Sequence, residues 1–176
     1  METELEVKIL GIDVESVKAR LKKIGAKKVL ERNMHRFVYD LMPGKTGYWL
    51  RLRYNGEKTT LAVKEIQSNK IDGTKETEIT VSDFEKTNLL LNKLGFFAKA
   101  YQENKRISYK LGKTEIEIDF WPKIPPYLEI EAKSKTEIEK TVKLLGFSRS
   151  QATSIGVEEV YKKYGLNIHD FKELKF

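Results

Sequence analysis

Alternating charged residues are the feature of this sequence that could do chemistry. Residues 4–8 read Glu-Leu-Glu-Val-Lys, and successive side chains of a β-strand point to opposite faces of a sheet. Glu4, Glu6 and Lys8 would therefore share one face. The same alternation places two further groups on one face of their strands, the carboxylates Glu76, Glu78, Glu115, Glu117, Asp119, Glu129 and Glu131 and the cations Arg51, Arg53 and Lys64.

The chemistry of these groups depends on what covers the sheet. If helices cover the apolar face, the charged face lines a concave interior, where several carboxylates repel one another unless cations neutralise them. Mg²⁺ and Mn²⁺ prefer oxygen ligands, and Arg and Lys bind phosphate oxygens. A polyphosphate chain with a divalent metal would satisfy both groups. The alternative is an open sheet whose charged face is solvated, with acidic and basic residues paired across strands.

The elements that would position these residues follow from periodicity. Period-two alternation predicts strands over residues 4–8, 29–40, 47–54, 59–66, 71–81, 101–111, 113–121 and 127–133. Asn55-Gly56 is typical of a tight hairpin, so neighbouring strands are expected to be antiparallel. Apolar residues at helical spacing predict helices over 14–24, 84–94 and 138–145, each followed by glycine, and a further helix over 151–163. The predicted fold class is α+β, a closed antiparallel β-barrel, or tunnel, of about eight strands with helices packed outside.

Composition limits the remaining possibilities. The chain has 176 residues, 40% of them hydrophobic, which suits one domain over 1–176 with a C-terminal helical extension over 148–176. It has no cysteine and two histidines, so carboxylates and cations must do any chemistry. The absence of a long apolar run predicts a cytoplasmic protein that does not contact a membrane. The net charge of +7 favours a polyanionic partner, although a lysine-rich solvated surface gives the same value.

The order of these motifs along the chain resembles that of the CYTH superfamily, the triphosphate tunnel metalloenzymes. Residues 4–8 are similar to its Glu-x-Glu-x-Lys signature. The resemblance continues through the later motifs over roughly residues 1–147: Arg51-Leu52-Arg53, Leu61 to Lys64, Glu76-Thr77-Glu78, Arg106 with Tyr109, Asp119, and Leu128 to Glu131. It implies a closed antiparallel tunnel, flanked by helices, that binds a triphosphate together with Mg²⁺ or Mn²⁺.

The resemblance also implies roles for individual residues. Lys8, Arg51, Arg53, Lys64 and Arg106 would hold phosphate oxygens. Glu76 and Glu78 would orient these cations or help to bind a second metal or a water molecule. The metal would be held by Glu4, Glu6, Asp119, Glu129 and Glu131. The candidate catalytic bases are Glu4, Glu6, Glu76 and Glu78.

Departures from the family pattern leave the substrate open. Asn104 stands where many relatives have a lysine, and Arg36-Phe37-Val38 replaces an Asp-x-Tyr pattern. Lys105 should point outward by alternation. Trp49, Phe120 and Trp121 are expected to pack or to line a rim, with stacking on a base as the alternative.

We expect hydrolysis of inorganic tripolyphosphate or an organic triphosphate. Conversion of ATP to cAMP is one alternative, and a non-catalytic module that binds polyphosphate or RNA termini is another. The expected partner is a triphosphate-containing small molecule and not a specific nucleic acid, with the protein a monomer or homodimer.

Overall fold

A computed structural model describes residues 2–42, 44, 45, 47–68, 70, 71 and 73–176, with side chains from residue 5 onward. The described part of the chain forms an α+β fold in which one large sheet carries four α-helices. The helices are α1 (Val14–Lys23), α2 (Phe84–Lys93), α3 (Lys135–Leu144) and α4 (Val157–Lys163). None of the described helices is long and apolar enough to cross a membrane.

The sheet contains eleven strands in the described residues. They are β1 (Glu2–Glu4), β2 (Glu6–Ile9), β3 (Lys27–Asp40), β4 (Tyr48–Tyr54), β5 (Thr59–Ile66), β6 (Thr74–Val81), β7 (Ala98–Leu111), β8 (Thr114–Phe120), β9 (Tyr127–Glu131), β10 (Ala152–Thr153) and β11 (Glu173–Leu174). Their order is β1-β6-β5-β4-β3-β7-β8-β9-β2-β10, with antiparallel neighbours, and β11 pairs parallel with β7. The structure therefore has three more strands than the eight that alternation predicts. Strands β10 and β11 are additional, and two strands, β1 and β2, replace the single N-terminal strand.

The N-terminal strand joins distant parts of the sheet. β1 and β2 are separated only by Leu5, yet β1 pairs with β6 and β2 pairs with β9. These partners stand second and eighth in the strand order. A single short segment therefore links strands near the two ends of the order.

The hairpin between β4 and β5 turns where the sequence predicts. Gly56 has a φ of +89°, which glycine adopts without a steric penalty. A Cβ atom here would also lie 2.8 Å from the Cβ of Arg32. Asn55 completes the turn, since its Oδ1 accepts from the backbone N–H of Lys58 at 3.0 Å.

The helices cover the apolar face of the sheet. Helices α1 and α3 pack on β2, β8 and β9 through buried residues that include Val7, Leu21, Ile116, Leu128 and Ile138. Helix α2 packs on β4 through a second cluster that contains Leu52 and Leu91. Each fully buried Leu or Ile side chain contributes roughly 1.5–3 kcal/mol to folding. This packing fixes the outer face, so the alternating charged residues lie on the inner face.

The C-terminal segment differs from the predicted helical extension. The helix expected over 151–163 begins only at Val157, and residues 152 and 153 form strand β10 against β2. Short 3₁₀ turns cover Arg149–Gln151 and Ile168–Asp170. The segment shares a buried cluster with the main sheet, made of Trp121, Ile124, Tyr127, Val160, Tyr161, Ile168 and Leu174. Residues 148–176 are therefore part of the same packing unit as the sheet.

Candidate active site

The charged inner face borders a cavity of about 1170 Å³. Ten of the predicted site residues line it: Glu6, Lys8, Arg51, Arg53, Lys64, Glu76, Glu78, Arg106, Glu129 and Glu131. Strand alternation thus brings together residues from β2, β4, β5, β6, β7 and β9. The side chain of Glu4 lies outside the described residues. Asp119 is fully buried and does not line the cavity.

One wall of the cavity, formed by β8, β9 and β2, is acidic. Glu115, Glu131 and Glu6 stand opposite one another across these three strands. Among the described residues Glu131 has no ion-pair partner. Burial and the nearby charges of Glu129, Glu6 and Glu115 raise the pKa of Glu131 to about 7. Glu6 and Glu115 are paired with lysines, so Glu131 is the carboxyl of this row without an ion pair in the described residues.

The next row of the same wall is an ion-pair network. Lys8 is buried, and its Nζ lies 2.5 Å from Glu6 Oε1 and 3.1 Å from Glu129 Oε2. Burial alone would raise the pKa of the Glu129 carboxyl, but the cations of Lys8 and Arg106 outweigh it and lower that pKa to about 2. Glu129 is consequently ionised at neutral pH.

The facing wall, from β3 to β6, is basic. Arg51 Nη2 donates to Glu76 Oε1 at 2.7 Å and to Glu78 Oε2 at 3.0 Å. Arg53 Nη2 lies 3.1 Å from Glu78 Oε2, and Lys64 Nζ lies 2.7 Å from Glu76 Oε2. Burial and the charge of Arg51 lower the pKa of Arg53 to about 10. The two carboxylates of β6 thus hold three cations side by side.

Asp119 holds Arg106 in place. Arg106 Nε and Nη2 donate to the two carboxylate oxygens of Asp119, each at 2.6 Å. Arg106 also pairs with Glu117 and lies 3.1 Å from Glu129. These carboxylates, opposed by burial, raise the pKa of Arg106. Both oxygens of Asp119 therefore contact the guanidinium, and Asp119 shares the Nη2 of Arg106 with Glu129.

The donor set for a divalent metal fits the acidic wall. Within the described residues no three Asp, Glu or His side chains converge at metal-binding distance, because Glu6 and Glu129 are turned toward Lys8. Carboxylate oxygens are nevertheless the ligands that Mg²⁺ prefers. Glu6, Glu129 and Glu131 offer them from two neighbouring strands, and Glu131 makes no ion pair in the described part of the chain.

Several lining residues were not among the predicted site residues. Arg32, Arg36, Gln102 and Asn104 line the cavity, and Glu117 joins the Arg106 network. Strand alternation could have identified the two arginines. Arg32 and Arg36 share one face of β3, and Phe37 and Tyr39 lie on the opposite, apolar face. Lys105 is exposed, as alternation predicts.

The sequence matches one protein family over most of its length. The family model of the CYTH domain matches residues 2–160. The chain belongs to the CYTH family. Members of this family typically act on triphosphates and generally use divalent metals.

Solved structures share the CYTH fold seen here. A Pyrococcus horikoshii protein is 24% identical, with a TM-score of 0.75 over 87% of this chain and 96% of its own. A candidate adenylate cyclase from Vibrio parahaemolyticus is 17% identical, with a TM-score of 0.72 over 92% of this chain and 98% of its own. A candidate adenylyl cyclase from Hippeastrum with a dominant triphosphatase activity is 14% identical, with a TM-score of 0.62 over 96% and 98%. No curated protein sequence matches the chain as a relative.

Proposed function

We propose that this CYTH protein is a divalent-metal-dependent triphosphatase that hydrolyses inorganic tripolyphosphate or an organic triphosphate. One observation carries the proposal: an acidic wall and a basic wall face the same cavity. A phosphate chain could accept hydrogen bonds from the basic wall, and the carboxylates of the acidic wall would hold a divalent metal that offsets its charge. Neither a membrane surface nor a bare cation would use both walls.

The cavity is proposed to be the interior of a closed tunnel within one domain spanning 1–176. Support comes from the N-terminal strand, because β1 and β2 lie one residue apart and pair with strands near opposite ends of the sheet order. A sheet that curls until one segment joins both edges leaves few unpaired backbone groups. Such closure would shield the phosphate chain from bulk water and strengthen its contacts with the basic wall.

Phosphate binding requires an exchange of partners on the basic wall. Arg51, Arg53 and Lys64 contact Glu76 or Glu78. When these cations turn toward phosphate oxygens, the two carboxylates lose part of their neutralising charge. A carboxylate released in this way can accept a proton from water near the terminal phosphorus. Glu76 and Glu78 are therefore proposed as proton acceptors, with Glu4 and Glu6 as the alternatives on β1 and β2.

The remaining proposed roles follow from the contacts already described. Arg106, held by Asp119, would bind a phosphate oxygen in a fixed orientation. Lys8 would bind phosphate while it keeps Glu129 ionised. Glu6, Glu129 and Glu131, with Glu4 as a further candidate, would hold Mg²⁺ or Mn²⁺. Such an ion, when bound, stabilises negative charge on the phosphoryl oxygens and lowers the pKa of bound water.

Cyclisation of ATP is the second candidate, favoured by the fold shared with candidate adenylate cyclases. Cyclisation also requires the ribose 3′-hydroxyl to be held in line with the α-phosphorus. Hydrolysis requires only an activated water at the terminal phosphorus, and carboxylates line the cavity on both walls. We therefore favour hydrolysis. Binding of polyphosphate without turnover is the third candidate.

Product analysis separates the three candidates. We expect the protein with Mg²⁺ or Mn²⁺ to release phosphate from tripolyphosphate, and to convert ATP more slowly to ADP and phosphate. The variant Glu129→Gln should lose most of this activity, whereas Glu139→Gln, on the exposed side of α3, should retain it. Formation of cAMP and pyrophosphate as the main products would favour the cyclase. Binding without turnover of tripolyphosphate, ATP or thiamine triphosphate would favour the non-catalytic module.

A further inference from the structure

Arg36 is a cavity cation that lacks a carboxylate partner in the described part of the chain. Its Nε donates to Gln102 Oε1 at 2.8 Å, and its guanidinium carbon lies 4.5 Å from the ring centroid of Trp121. In contrast, every cation expected to bind the triphosphate contacts at least one carboxylate. These cations are Lys8, Arg51, Arg53, Lys64 and Arg106.

The neighbours of Arg36 are cations and hydrogen-bond donors. Arg36 stands directly opposite Arg53 on β4 and opposite Gln102 on β7. Trp121 lines the cavity and is only 6% exposed, and its indole Nε1 is buried without a hydrogen-bond acceptor among the described residues. Asn104 is 4% exposed and also lines the cavity. This part of the wall can donate several hydrogen bonds to one ligand group.

An isolated cation in this position is unfavourable without a ligand. Burial and the charges of Arg51 and Arg53 lower the pKa of Arg36 to about 9, so the guanidinium remains charged at neutral pH. A partly buried charge without a counter-ion destabilises the folded state. An anionic group here would neutralise Arg36 and need not displace a carboxylate from it. A guanidinium also matches the geometry of a phosphoryl group through paired N–H donors.

We propose that Arg36, with Trp121, Gln102 and Asn104, forms a further anion subsite that takes a fourth phosphoryl group. The subsite adjoins Arg53, so a ligand seated on the five predicted cations would reach it by one more phosphate in the chain. The inference rests on the proposed function and specifies its substrate class. Linear tetraphosphates bind more tightly than triphosphates, and Arg36 accounts for the difference.

Calorimetric titration with tripolyphosphate and tetrapolyphosphate, in EDTA and again with Mg²⁺, tests this subsite. We expect the wild-type protein to bind tetrapolyphosphate about ten- to a hundredfold more tightly, the effect of one or two charge-assisted hydrogen bonds. Arg36→Gln should bring the two affinities together by weakening tetrapolyphosphate alone. Arg36→Lys should retain part of the preference, because a point charge makes no paired contact. The matched control Arg32→Gln, on the same face of β3, should leave the ratio unchanged.

Fluorescence provides a test that leaves Arg36 intact. The chain has two tryptophans, so Trp49→Phe leaves Trp121 as the sole reporter. Tetrapolyphosphate should change the emission of Trp121 more than tripolyphosphate does. If a nucleoside tetraphosphate changes the emission of Trp121 to the same extent, the subsite also accepts the fourth phosphoryl group of an organic ligand. If the nucleoside tetraphosphate leaves the emission unchanged, the subsite is restricted to inorganic chains.

Two results would overturn the subsite while leaving the proposed function in place. One is equal affinity of the wild-type protein for the two chains. The other is an Arg36→Gln variant that weakens both chains equally, which would make Arg36 part of the triphosphate site. If neither chain binds under either condition, the proposed function itself is wrong.

Discussion

Charged residues of the cavity fall into two groups at the scale of single side chains. Most are paired within the protein, as Arg51 is with Glu76 and Glu78. Glu131 on the acidic wall and Arg36 on the basic wall instead make no ion pair within the described residues. A buried charge without a partner is costly. The two unpaired groups therefore indicate where a ligand should supply a cation and an anion.

Replacement of Glu131 tests this interpretation on the acidic side. The pKa of Glu131 is raised to about 7 from its usual 4.5, so between these pH values the folded protein holds a proton that the unfolded chain releases. Stability from this group is therefore greatest at low pH and falls as pH rises toward and through 7. We expect Glu131→Gln to raise the melting temperature at pH 8 in EDTA, and to change it little at pH 5, where the wild-type carboxyl is protonated.

Thermal melts at the two pH values, with Mg²⁺ titrations at pH 8, check the expectation. Glu131→Gln should weaken Mg²⁺ binding even though it stabilises the metal-free protein. Glu139→Gln provides the control, because Glu139 is 61% exposed and its only described ion pair is a 3.9 Å contact with Arg149. A lower melting temperature for Glu131→Gln at pH 8 would show that Glu131 has a structural role that the described contacts do not explain.

At the scale of elements, the sequence predicts strands best where one local pattern decides the structure. The predicted strand over 59–66 agrees with β5 at both ends, because Leu61 and Val63 share one face of a short segment that lies between two turns. Strand β10 is two residues long and depends on pairing with β2, so the local sequence pattern does not predict it. For this reason the helix predicted over 151–163 includes the two residues that form β10.

The same distinction applies to the candidate site. Alternation predicts which residues face the cavity, because the face of a strand is a local property. It does not predict which residues on separate strands touch. The register of β7 on β8 places Arg106 opposite Asp119, and only this register shows that Asp119 holds an arginine. The partner of Arg36 was unpredictable for the same reason, since Trp121 follows the end of β8.

The C-terminal strand offers a prediction at the element scale. Leu174 in β11 is fully buried in the cluster with Trp121 and Tyr161, although it lies two residues before the chain end. We expect Leu174→Ala to lower the free energy of unfolding by about 2–5 kcal/mol, the cost of a cavity in a packed core. Leu144→Ala on α3, where Leu144 is 46% exposed, should cost far less. A small effect of Leu174→Ala in denaturant melts would show that 148–176 is a loosely attached extension.

Charge organisation at the scale of the whole molecule links metal binding to phosphate binding. The chain has a net charge of +7, and both walls of the cavity contain ion pairs, with carboxylates in excess on one wall and cations in excess on the other. Phosphate alone must draw cations away from Glu76 and Glu78. A divalent metal alone must compete with Lys8 for Glu6 and Glu129. If both bind as proposed, the phosphate would supply ligands to the metal, and the metal would offset charge on the phosphate.

Each ligand should therefore strengthen the binding of the other, and by linkage the coupling is reciprocal. Ligand that binds only the folded protein stabilises it by about 2.7 kcal/mol at a hundred times its dissociation constant. We expect the rise in melting temperature with Mg²⁺ and tripolyphosphate together to exceed the sum of the two separate rises, measured before appreciable hydrolysis. Glu131→Gln should reduce this excess, because the metal then has fewer carboxylate ligands, whereas Glu139→Gln should preserve it. Additive rises would mean that the two walls bind their ligands independently, and that the metal does not bridge the phosphate chain to the acidic wall.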